Sequence, residues 1–158
     1  MARDCIINSK FGPKAFSLIY NLVDYAFIYK EQFSLNEFTN DYVITSIPSD
    51  KDRKAKRGFN LAELIAKKIS KKLNLKYKEI LEKNKSSEPF EKLNKKQRHL
   101  QIKNSFKLKS KIYEKILLID DVVTTGSTLQ EATKTLKKSG AKHVTCLAIC
   151  YKPLNKIF

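Results

Sequence analysis

The sequence predicts an α/β fold in which a mainly parallel sheet is flanked by helices. Apolar runs of strand length alternate along the chain with segments of helical periodicity, which is the pattern of α/β folds. The most apolar run, KILLID at residues 115–120, is hydrophobic on both strand faces, as strands inside a parallel sheet are. The length of 158 residues fits one domain, so residues 1–158 are predicted to form a single unit.

The first half of the chain is predicted to contribute two helices and two strands. AFSLIYNLVDYAFIY at residues 15–29 predicts a helix buried on more than one side, with a partner subunit as a candidate contact. A short buried strand follows at residues 41–48, and Pro48 ends it. Residues 61–73 predict an amphipathic helix with leucine and isoleucine on one face and lysines mostly opposite. Residues 74–83 hold a further strand.

The second half begins with a polar, basic segment at residues 84–104 and continues with strands and a helix. Residues 105–109 are strand-like, and residues 115–120 form the most apolar strand. Residues 127–140 predict a helix that ends at a glycine, and residues 141–151 predict another buried strand. The alternation of strands and helices therefore continues to the end of the chain.

Basic residues are concentrated in the middle of the chain. Lysine and arginine number 32 against 16 acidic residues, a formal net charge of +16. Residues 51–115 contain 22 basic and 7 acidic residues, a local excess of +15, so the rest of the chain is about neutral. This asymmetry favours an anionic partner such as phosphates, nucleic acid or an acidic lipid surface. A solvated lysine-rich surface is the alternative.

Cysteine usage and hydropathy indicate a cytoplasmic protein. The three cysteines, Cys5, Cys146 and Cys150, form no even disulfide framework, and the last two are expected to be reduced core residues of a strand. No apolar run reaches transmembrane length, and no signal peptide is recognisable at MARDC. We therefore expect a cytoplasmic location without a transmembrane segment.

ILLIDDVVTTGST at residues 116–128 carries the strongest functional signal. Ligands of parallel α/β sheets bind beyond the carboxyl ends of the strands, and Asp120 and Asp121 stand at such an end. Residues 122–127 are predicted to form the turn into the next helix, where Gly126 permits close backbone approach and helix N–H groups attract an anion. Hydroxyls crowd this turn and indicate a phosphate cradle: Thr124, Thr125, Ser127 and Thr128.

The two carboxylates suit a different part of the same ligand. Asp120 and Asp121 can accept hydrogen bonds from paired hydroxyls or anchor Mg²⁺. A phosphate at one end and a diol at the other describe a ribose 5-phosphate. The GxxxxGK[ST] phosphate loop is absent. An ordinary turn before a capped helix explains one aspartate well, but it explains two aspartates and four hydroxyls around one glycine badly.

This segment resembles the phosphoribosyl pyrophosphate motif of type I phosphoribosyltransferases. Three further segments, in the same order along the chain, are similar to the ComF family: CIINSKFGPKAF at residues 5–16, RGFNLAELIAKKI at residues 57–69 and LNKKQRHLQIKNSF at residues 93–106. The resemblance implies a type I phosphoribosyltransferase-like fold and a link to DNA uptake in natural transformation.

The resemblance also implies roles for individual residues. Asp120 and Asp121 would bind the ribose hydroxyls and hold Mg²⁺, directly or indirectly. The loop after the first core strand would bind pyrophosphate, with Arg57 as its cation and Gly58 admitting backbone amides. Arg98 would belong to a mobile hood over the site. The segment implied to bind phosphoribosyl pyrophosphate consists of Asp120, Asp121, Val122, Val123, Thr124, Thr125, Gly126, Ser127 and Thr128.

The sequence departs from the ComF pattern at several points. Many ComF proteins carry a four-cysteine zinc module, but this chain has no CxxC pair and no zinc module is expected in it. Leu61 and Phe90 stand where the family often has glutamine. No segment for recognising a nucleobase is evident, so the acceptor of a transfer reaction is not indicated.

Three hypotheses about function follow from these observations. The first is a phosphoribosyltransferase, a pentosyl-transferring enzyme of nucleotide metabolism or salvage. The second is a competence factor that contacts single-stranded DNA through its basic half. The third is a ligand-sensing regulator that acts through a competence helicase or channel protein. We favour binding of phosphoribosyl pyrophosphate with Mg²⁺ together with contact to single-stranded DNA; the predicted nucleic-acid residues are Lys67, Lys68, Lys71 and Lys72.

Overall fold

The structure is a computed structural model. The structure describes residues 15–29, 35–49, 55, 58–84 and 104–151. Arg57, Arg98 and the predicted hood around residues 85–98 lie outside these residues.

The described residues form three α-helices, one short 3-10 helix (Leu35–Glu37) and six strands, four of which make one parallel sheet. Their bounds are α1 (Ala15–Ile28), β1 (Tyr42–Ser46), α2 (Leu61–Leu73), β2 (Lys76–Tyr77), β3 (Leu81–Lys83), β4 (Phe106–Leu108), β5 (Lys115–Val123), α3 (Ser127–Lys138) and β6 (His143–Tyr151). The sheet has the order β2-β1-β5-β6, and all of its pairs are parallel. The predicted α/β fold with a mainly parallel sheet is therefore confirmed.

Strand β5 lies inside the sheet, and its alternating side chains supply both core layers. Leu117 and Ile119 pack with Ile65 of α2 on one face. Ile116 and Leu118 pack on the other face, in a second hydrophobic layer that also contains residues of α3. Residues 116–119 are fully buried. Burial on both faces explains why this strand reads as a continuous apolar run in the sequence.

The segment at residues 74–83 contains two short strands rather than one. Strand β2 pairs with β1 at the edge of the parallel sheet. Strand β3 instead pairs with β4 in a separate antiparallel ribbon. The chain changes sheet at residues 78–80, where the Ile80 N–H donates to Thr45 Oγ1 at 3.3 Å. The single predicted strand was wrong because residues 76–77 and residues 81–83 pair with different strands.

Strand β5 is longer than predicted, and the turn after it is shorter. Residues 122 and 123 remain paired with Cys150 and Tyr151 of β6, so they belong to the strand. The turn therefore consists of residues 124–126 alone. The predicted turn at residues 122–127 was wrong because pairing with β6 continues past the aspartates.

Strand β6 is an edge strand rather than a buried one. Among the described strands it has a neighbour on one side only, and most of its residues are exposed or half-buried. Cys150 is buried, whereas Cys146 is exposed. The expectation that both cysteines are core residues was therefore wrong for Cys146. Cys146 is exposed because it lies in β6, the strand at the end of the sheet order.

Helix α1 buries one side against the rest of the chain. Val23 is fully buried, whereas Tyr25 and Ile28 are 58% and 73% exposed. Burial on more than one side is therefore wrong for residues 21–29 within this chain, and a contact with a partner subunit stays a prediction. None of the described helices combines the length and the apolar composition needed to cross a bilayer.

Candidate functional site

The aspartate pair lies where β5 extends beyond its neighbour β1. Strand β1 ends at Ser46, which is in register with Ile119. Asp120 is therefore the first residue of β5 without a partner in β1, and residues 120–123 form an overhang at the carboxyl edge of the sheet. The helix after β1 packs on one face of the sheet and the helix after β5 on the other, and ligands of parallel sheets bind in the crevice beyond two such strands.

The backbone orients both carboxylates. Asp120 is buried, and its Oδ1 accepts the Asp121 N–H at 2.9 Å. Asp121 Oδ1 accepts the Val122 N–H at 3.0 Å. Ile119 and Val122 pack against the same core cluster although strict alternation would place them on opposite faces. The register with β6 is nevertheless constant from Lys115 to Val123, so β5 continues through the aspartate pair.

The turn at residues 124–126 leads into the N-terminus of α3. Gly126 is the N-cap residue with φ +76°, and its carbonyl accepts the Gln130 N–H at 2.9 Å. A Cβ at Gly126 would meet nothing within 4 Å, so the space beside it is open. The left-handed φ, rather than close packing, is therefore the reason for glycine here.

Hydroxyl groups cluster at the start of α3. Thr125 Oγ1 and Ser127 Oγ lie 2.5 Å apart, and the Ser127 N–H lies 3.4 Å from Thr125 Oγ1. Thr124 is exposed, and Thr128 is half-buried. Gly126, the N-cap residue, has no side chain with which to cap α3. The first turn therefore combines N–H groups, the positive end of the helix dipole and hydroxyl donors, which is a suitable arrangement for an anion.

The loop after β1 starts beside the aspartates. The Ile47 N–H donates to the Ile119 carbonyl at 2.9 Å, which places the start of this loop one residue from Asp120. Gly58, near the end of the loop, has φ +76° and open space at its Cβ position. The Ser49 hydroxyl is buried without a hydrogen-bond partner among the described residues. Both predicted ligand loops thus leave the sheet at the same edge.

Two connections at this edge were missed by sequence reasoning. The Asn60 side chain donates from Nδ2 to the Ile47 carbonyl at 2.9 Å. Glu131 of α3 is buried, and its Oε1 accepts the Asn104 N–H at 2.7 Å just before β4. The sequence alone predicts an ordinary N-cap residue at Asn60 and a solvated helix position at Glu131. No local signal identifies their partners.

The ribbon of β3 and β4 joins the two ends of the segment at residues 85–103. The Asn84 N–H donates to the Ser105 carbonyl at 2.9 Å, and the Asn84 side chain donates to the Asn104 carbonyl. Glu131 links this junction to α3, the helix that follows the hydroxyl-rich turn. The two residues that flank this segment, Asn84 and Asn104, are thereby connected to the helix that follows the aspartates.

The four lysines predicted to contact nucleic acid do not share one environment. Lys68 Nζ and Lys72 Nζ lie 2.6 and 2.7 Å from the Asp24 carboxylate of α1. These contacts hold the pKa of Asp24 below its usual range. Lys67 Nζ instead lies 2.6 Å from Glu63 Oε1. Lys71 is exposed and forms no ion pair with any described residue. The four lysines therefore lie on two sides of α2 and do not form one shared face.

A sequence-family model and a solved structure are similar to this chain. The sequence model of the family described as "Phosphoribosyl transferase domain" matches residues 55–157. A hypoxanthine phosphoribosyltransferase from Staphylococcus aureus has a similar structure, with a TM-score of 0.50 and 14% identity. The match covers 85% of this chain and 65% of that chain. At this identity, the similarity supports the fold alone.

Curated relatives are similar in sequence to about two thirds of this chain. Competence protein F of Haemophilus influenzae is 34% identical over 106 residues, which are 64% of this chain and 46% of the relative. Competence protein ComFC of Streptococcus pneumoniae is 32% identical over 109 residues, 69% of this chain and 48% of the relative. DNA utilization protein YhgH of Escherichia coli is 30% identical over 109 residues, 68% of this chain and 48% of the relative. The chain spans about half the length of these relatives.

Proposed function

Because this chain belongs to the phosphoribosyl transferase domain family, we propose that it binds phosphoribosyl pyrophosphate with Mg²⁺ and acts in DNA uptake. The relatives named competence protein F and ComFC confirm the resemblance to ComF. These relatives support a ComF-type role. The ligand, the metal ion and the contact with DNA are our proposals.

One observation carries the proposed ligand. Both ligand loops leave the sheet beside Asp120, because Ile47 is hydrogen-bonded to the residue that precedes this aspartate. The hydroxyl-rich turn at residues 124–128 would receive the 5-phosphate, and Asp120 with Asp121 would accept the ribose hydroxyls. The loop containing Gly58 would receive the pyrophosphate, with Arg57 supplying positive charge. A ligand with two phosphate ends and a diol between them matches this order.

The residues at this edge fit Mg²⁺ bound through the ligand. Mg²⁺ in proteins commonly takes one or two carboxylates together with phosphate oxygens and water. Asp120 and Asp121 supply that number of carboxylates, and the described residues contain no group of three or more metal-binding side chains. Bound Mg²⁺ would neutralise charge on the pyrophosphate group. Asp120 and Asp121 are the residues that would hold it.

The same geometry would suit pentosyl transfer at the anomeric carbon. Such a displacement depends on alignment of the reacting atoms and on charge stabilisation rather than on a covalent nucleophile. The two aspartates would orient the ribose ring, and the N-terminus of α3 would hold its 5-phosphate. The loop after β1 would hold the leaving pyrophosphate. A regulator that binds the ligand without transfer would use the same contacts, and assays of pyrophosphate release with candidate acceptors separate these two functions.

Contact with single-stranded DNA is a second proposed activity. The observation that favours it is the excess of basic residues between positions 51 and 115. Within the described part of this region, Lys71, Lys76 and Lys78 are exposed and form no ion pair with described residues. Unpaired surface lysines can exchange condensed counterions for phosphate contacts. A competence helicase or channel protein remains the proposed protein partner.

Calorimetry with phosphoribosyl pyrophosphate and Mg²⁺ tests the ligand. Replacing Asp120→Asn and Asp121→Asn together should weaken binding at least about tenfold, a loss of about 1.4 kcal/mol. The matched control is Asp41→Asn with Glu114→Gln, which removes the same charge at the opposite edge of the sheet. Asp41 is paired there with Lys115 at 2.5 Å and Glu114 with Lys142 at 2.8 Å. Equal affinity of the wild type and the Asp120/Asp121 variant would exclude the assigned role.

A further inference from the structure

We propose that the outward side of α1 is the contact surface for a second copy of this chain, in a weak dimer with twofold symmetry. This surface, the α1 stripe, consists of Asn21, Tyr25, Ile28 and Tyr29. None of these residues belongs to the proposed ligand site, so the inference does not depend on the proposed function.

The α1 stripe is a row of side chains that the described fold leaves uncovered. Tyr25, Ile28 and Tyr29 are 58%, 73% and 39% exposed, and Asn21, four residues before Tyr25, is also exposed. Spacings of three and four residues place these side chains next to one another on one side of the helix. The stripe therefore contains three of the four large hydrophobic side chains that are exposed among the described residues.

The opposite side of α1 fixes how the helix is rotated on the core. Val23 is fully buried in the core cluster that also contains residues of α2 and β5. Asp24 lies 2.6 and 2.7 Å from the side-chain nitrogens of Lys68 and Lys72, and Lys72 Nζ lies 5.2 Å from the centroid of the Phe27 ring. A rotation that buried the α1 stripe would break these contacts. The stripe therefore stays on the outside of the described fold.

The two tyrosines of the α1 stripe are suited to burial against an apolar surface. Their ring centroids lie 4.9 Å apart, with 53° between the ring planes. The Tyr25 hydroxyl donates a hydrogen bond to Tyr29, and this bond raises the pKa of Tyr25 above its usual range. Burial of a polar group is costly unless the group is hydrogen-bonded. Because the Tyr25 hydroxyl already has an acceptor, a partner can cover it without leaving this donor unsatisfied.

The charge of α1 distinguishes among candidate partners. Residues 15–29 contain no lysine or arginine, and Asp24 is their only charged residue, whereas α2 contains four lysines and α3 contains three. Nucleic acids and acidic lipid surfaces are bound largely through basic side chains, so neither matches the α1 stripe. An acidic protein would be attracted to the lysines of α2 rather than to α1.

A second copy of the chain would meet little electrostatic repulsion at α1. Each copy has a formal net charge of +16, so contact through most other surfaces would bring lysines together. In a twofold contact the same surface is used by both copies, so the tyrosines and isoleucine of one stripe would face those of the other. Aromatic residues are enriched in protein interfaces, and charged residues are depleted at their centres. The α1 stripe has both properties.

The small size of the α1 stripe predicts a weak dimer. Stable complexes bury about 800 Å² per partner, whereas even a large aromatic side chain offers only about 150–250 Å². We therefore expect monomers and dimers to be in equilibrium at micromolar concentrations. Sedimentation velocity of the whole chain, from micromolar to near-millimolar concentration, measures this equilibrium, and the sedimentation coefficient of the wild type should rise with concentration.

A single charge in the α1 stripe should disrupt the dimer. Ile28→Lys places a positive charge at the most exposed position of the stripe, and twofold symmetry brings two such charges together, so association should weaken at least about tenfold. Tyr25→Ser should weaken association without adding charge. The matched control is Tyr151→Lys, which makes the same change of charge at the exposed tyrosine of β6 and should leave association unchanged. Thermal unfolding verifies that each variant is folded.

Salt concentration separates this contact from an association through charged residues. Added salt screens the repulsion between two basic chains, so it should strengthen a dimer held by the α1 stripe. Association that increases with salt, is lost in Ile28→Lys and is kept in Tyr151→Lys supports the proposal. A dimer that dissociates in salt, or one that is equally stable in Ile28→Lys, overturns it. A wild type that stays monomeric throughout also overturns it and would assign the α1 stripe to a different protein.

Discussion

Lys68 of α2 and Asp24 of α1 form an ion pair with 2.6 Å between Nζ and Oδ2. Lys72 contacts the other oxygen of the same carboxylate at 2.7 Å. The two lysines therefore share one acidic partner and connect α1 to α2. Lys67 and Lys71 lie one helical turn apart on a different row of α2, and neither contacts Asp24. The lysines of α2 thus differ in how much of their charge is compensated within the chain.

This division predicts different effects of two double replacements. Lys67→Gln with Lys71→Gln should reduce the salt dependence of single-stranded DNA binding, because each lost phosphate contact changes the log–log slope by about 0.7. Lys68→Gln with Lys72→Gln should lower thermal stability more, because Asp24 then loses both partners. Fluorescence anisotropy at several salt concentrations measures the first effect, and thermal unfolding measures the second.

Affinity for phosphoribosyl pyrophosphate should be the same in both double variants, since neither changes the aspartate edge. The two variants remove the same formal charge, so each serves as the control for the other. Absence of salt-sensitive DNA binding by the wild type near physiological ionic strength would show that the basic half is a solvated surface. The competence role would then depend on a protein partner.

Tyr77 predicts a loss of stability at alkaline pH. Burial raises its pKa from 10.0 to about 12, although the hydrogen bond with Ser46 Oγ, 3.0 Å long, acts in the opposite direction. The folded chain therefore holds this proton more tightly than the unfolded chain does. The resulting contribution to stability is complete below pH 10 and is lost as the pH rises through about 12.

Chemical unfolding as a function of pH measures this contribution in the wild type and in Tyr77→Phe. The difference between their unfolding free energies should change in the interval from about pH 10 to about pH 12. Other tyrosines and lysines titrate in both proteins, so the difference isolates Tyr77. Parallel curves for the two proteins across this interval would contradict the prediction.

Gly126→Ala should destabilise the fold and weaken binding of the 5-phosphate. An L-residue at φ +76° costs about 1–2 kcal/mol, and open space at the Cβ position leaves backbone strain as the cause. Gly140→Ala is the matched control, because Gly140 has φ +112° and lies just beyond the other end of α3. Both variants should lower the free energy of unfolding, but only Gly126→Ala should lower the affinity for ribose 5-phosphate. Equal ligand affinity in the two variants would argue against a phosphate at this turn.

Glu131→Ala should destabilise the junction between α3 and the ribbon of β3 and β4. The change leaves the Asn104 N–H without the acceptor that now lies at 2.7 Å, at a cost of about 1–3 kcal/mol. Glu131→Gln retains an oxygen acceptor and should cost less. Lys134→Gln tests the 4.0 Å ion pair of Glu131 and should have little effect, because this lysine is exposed. Urea unfolding ranks the three variants by their free energy of unfolding. Equal losses of this free energy for Glu131→Ala and Glu131→Gln would mean that the carboxylate charge, rather than the hydrogen bond, stabilises the junction.

Elements whose signal lies within a short stretch were predictable from the sequence. The buried strand at residues 115–120, the amphipathic helix at residues 61–73 and the helix after Gly126 depend on local hydrophobic periodicity and turn chemistry. The location of Asp120 and Asp121 at a carboxyl edge follows from the same local pattern together with the general geometry of parallel sheets.

The sequence by itself determined the fold class, the family resemblance and the segments that face the carboxyl edge. Tertiary structure alone decided that β5 continues to Val123, because that extension depends on pairing with β6. It also decided that Asp24 compensates Lys68 across 44 positions of chain. The hydrogen bonds from Asn60 to Ile47 and from Asn104 to Glu131 likewise depend on how distant elements pack. Hydrophobic periodicity reports which face of an element is buried, whereas a polar partner depends on which distant element is packed against that face.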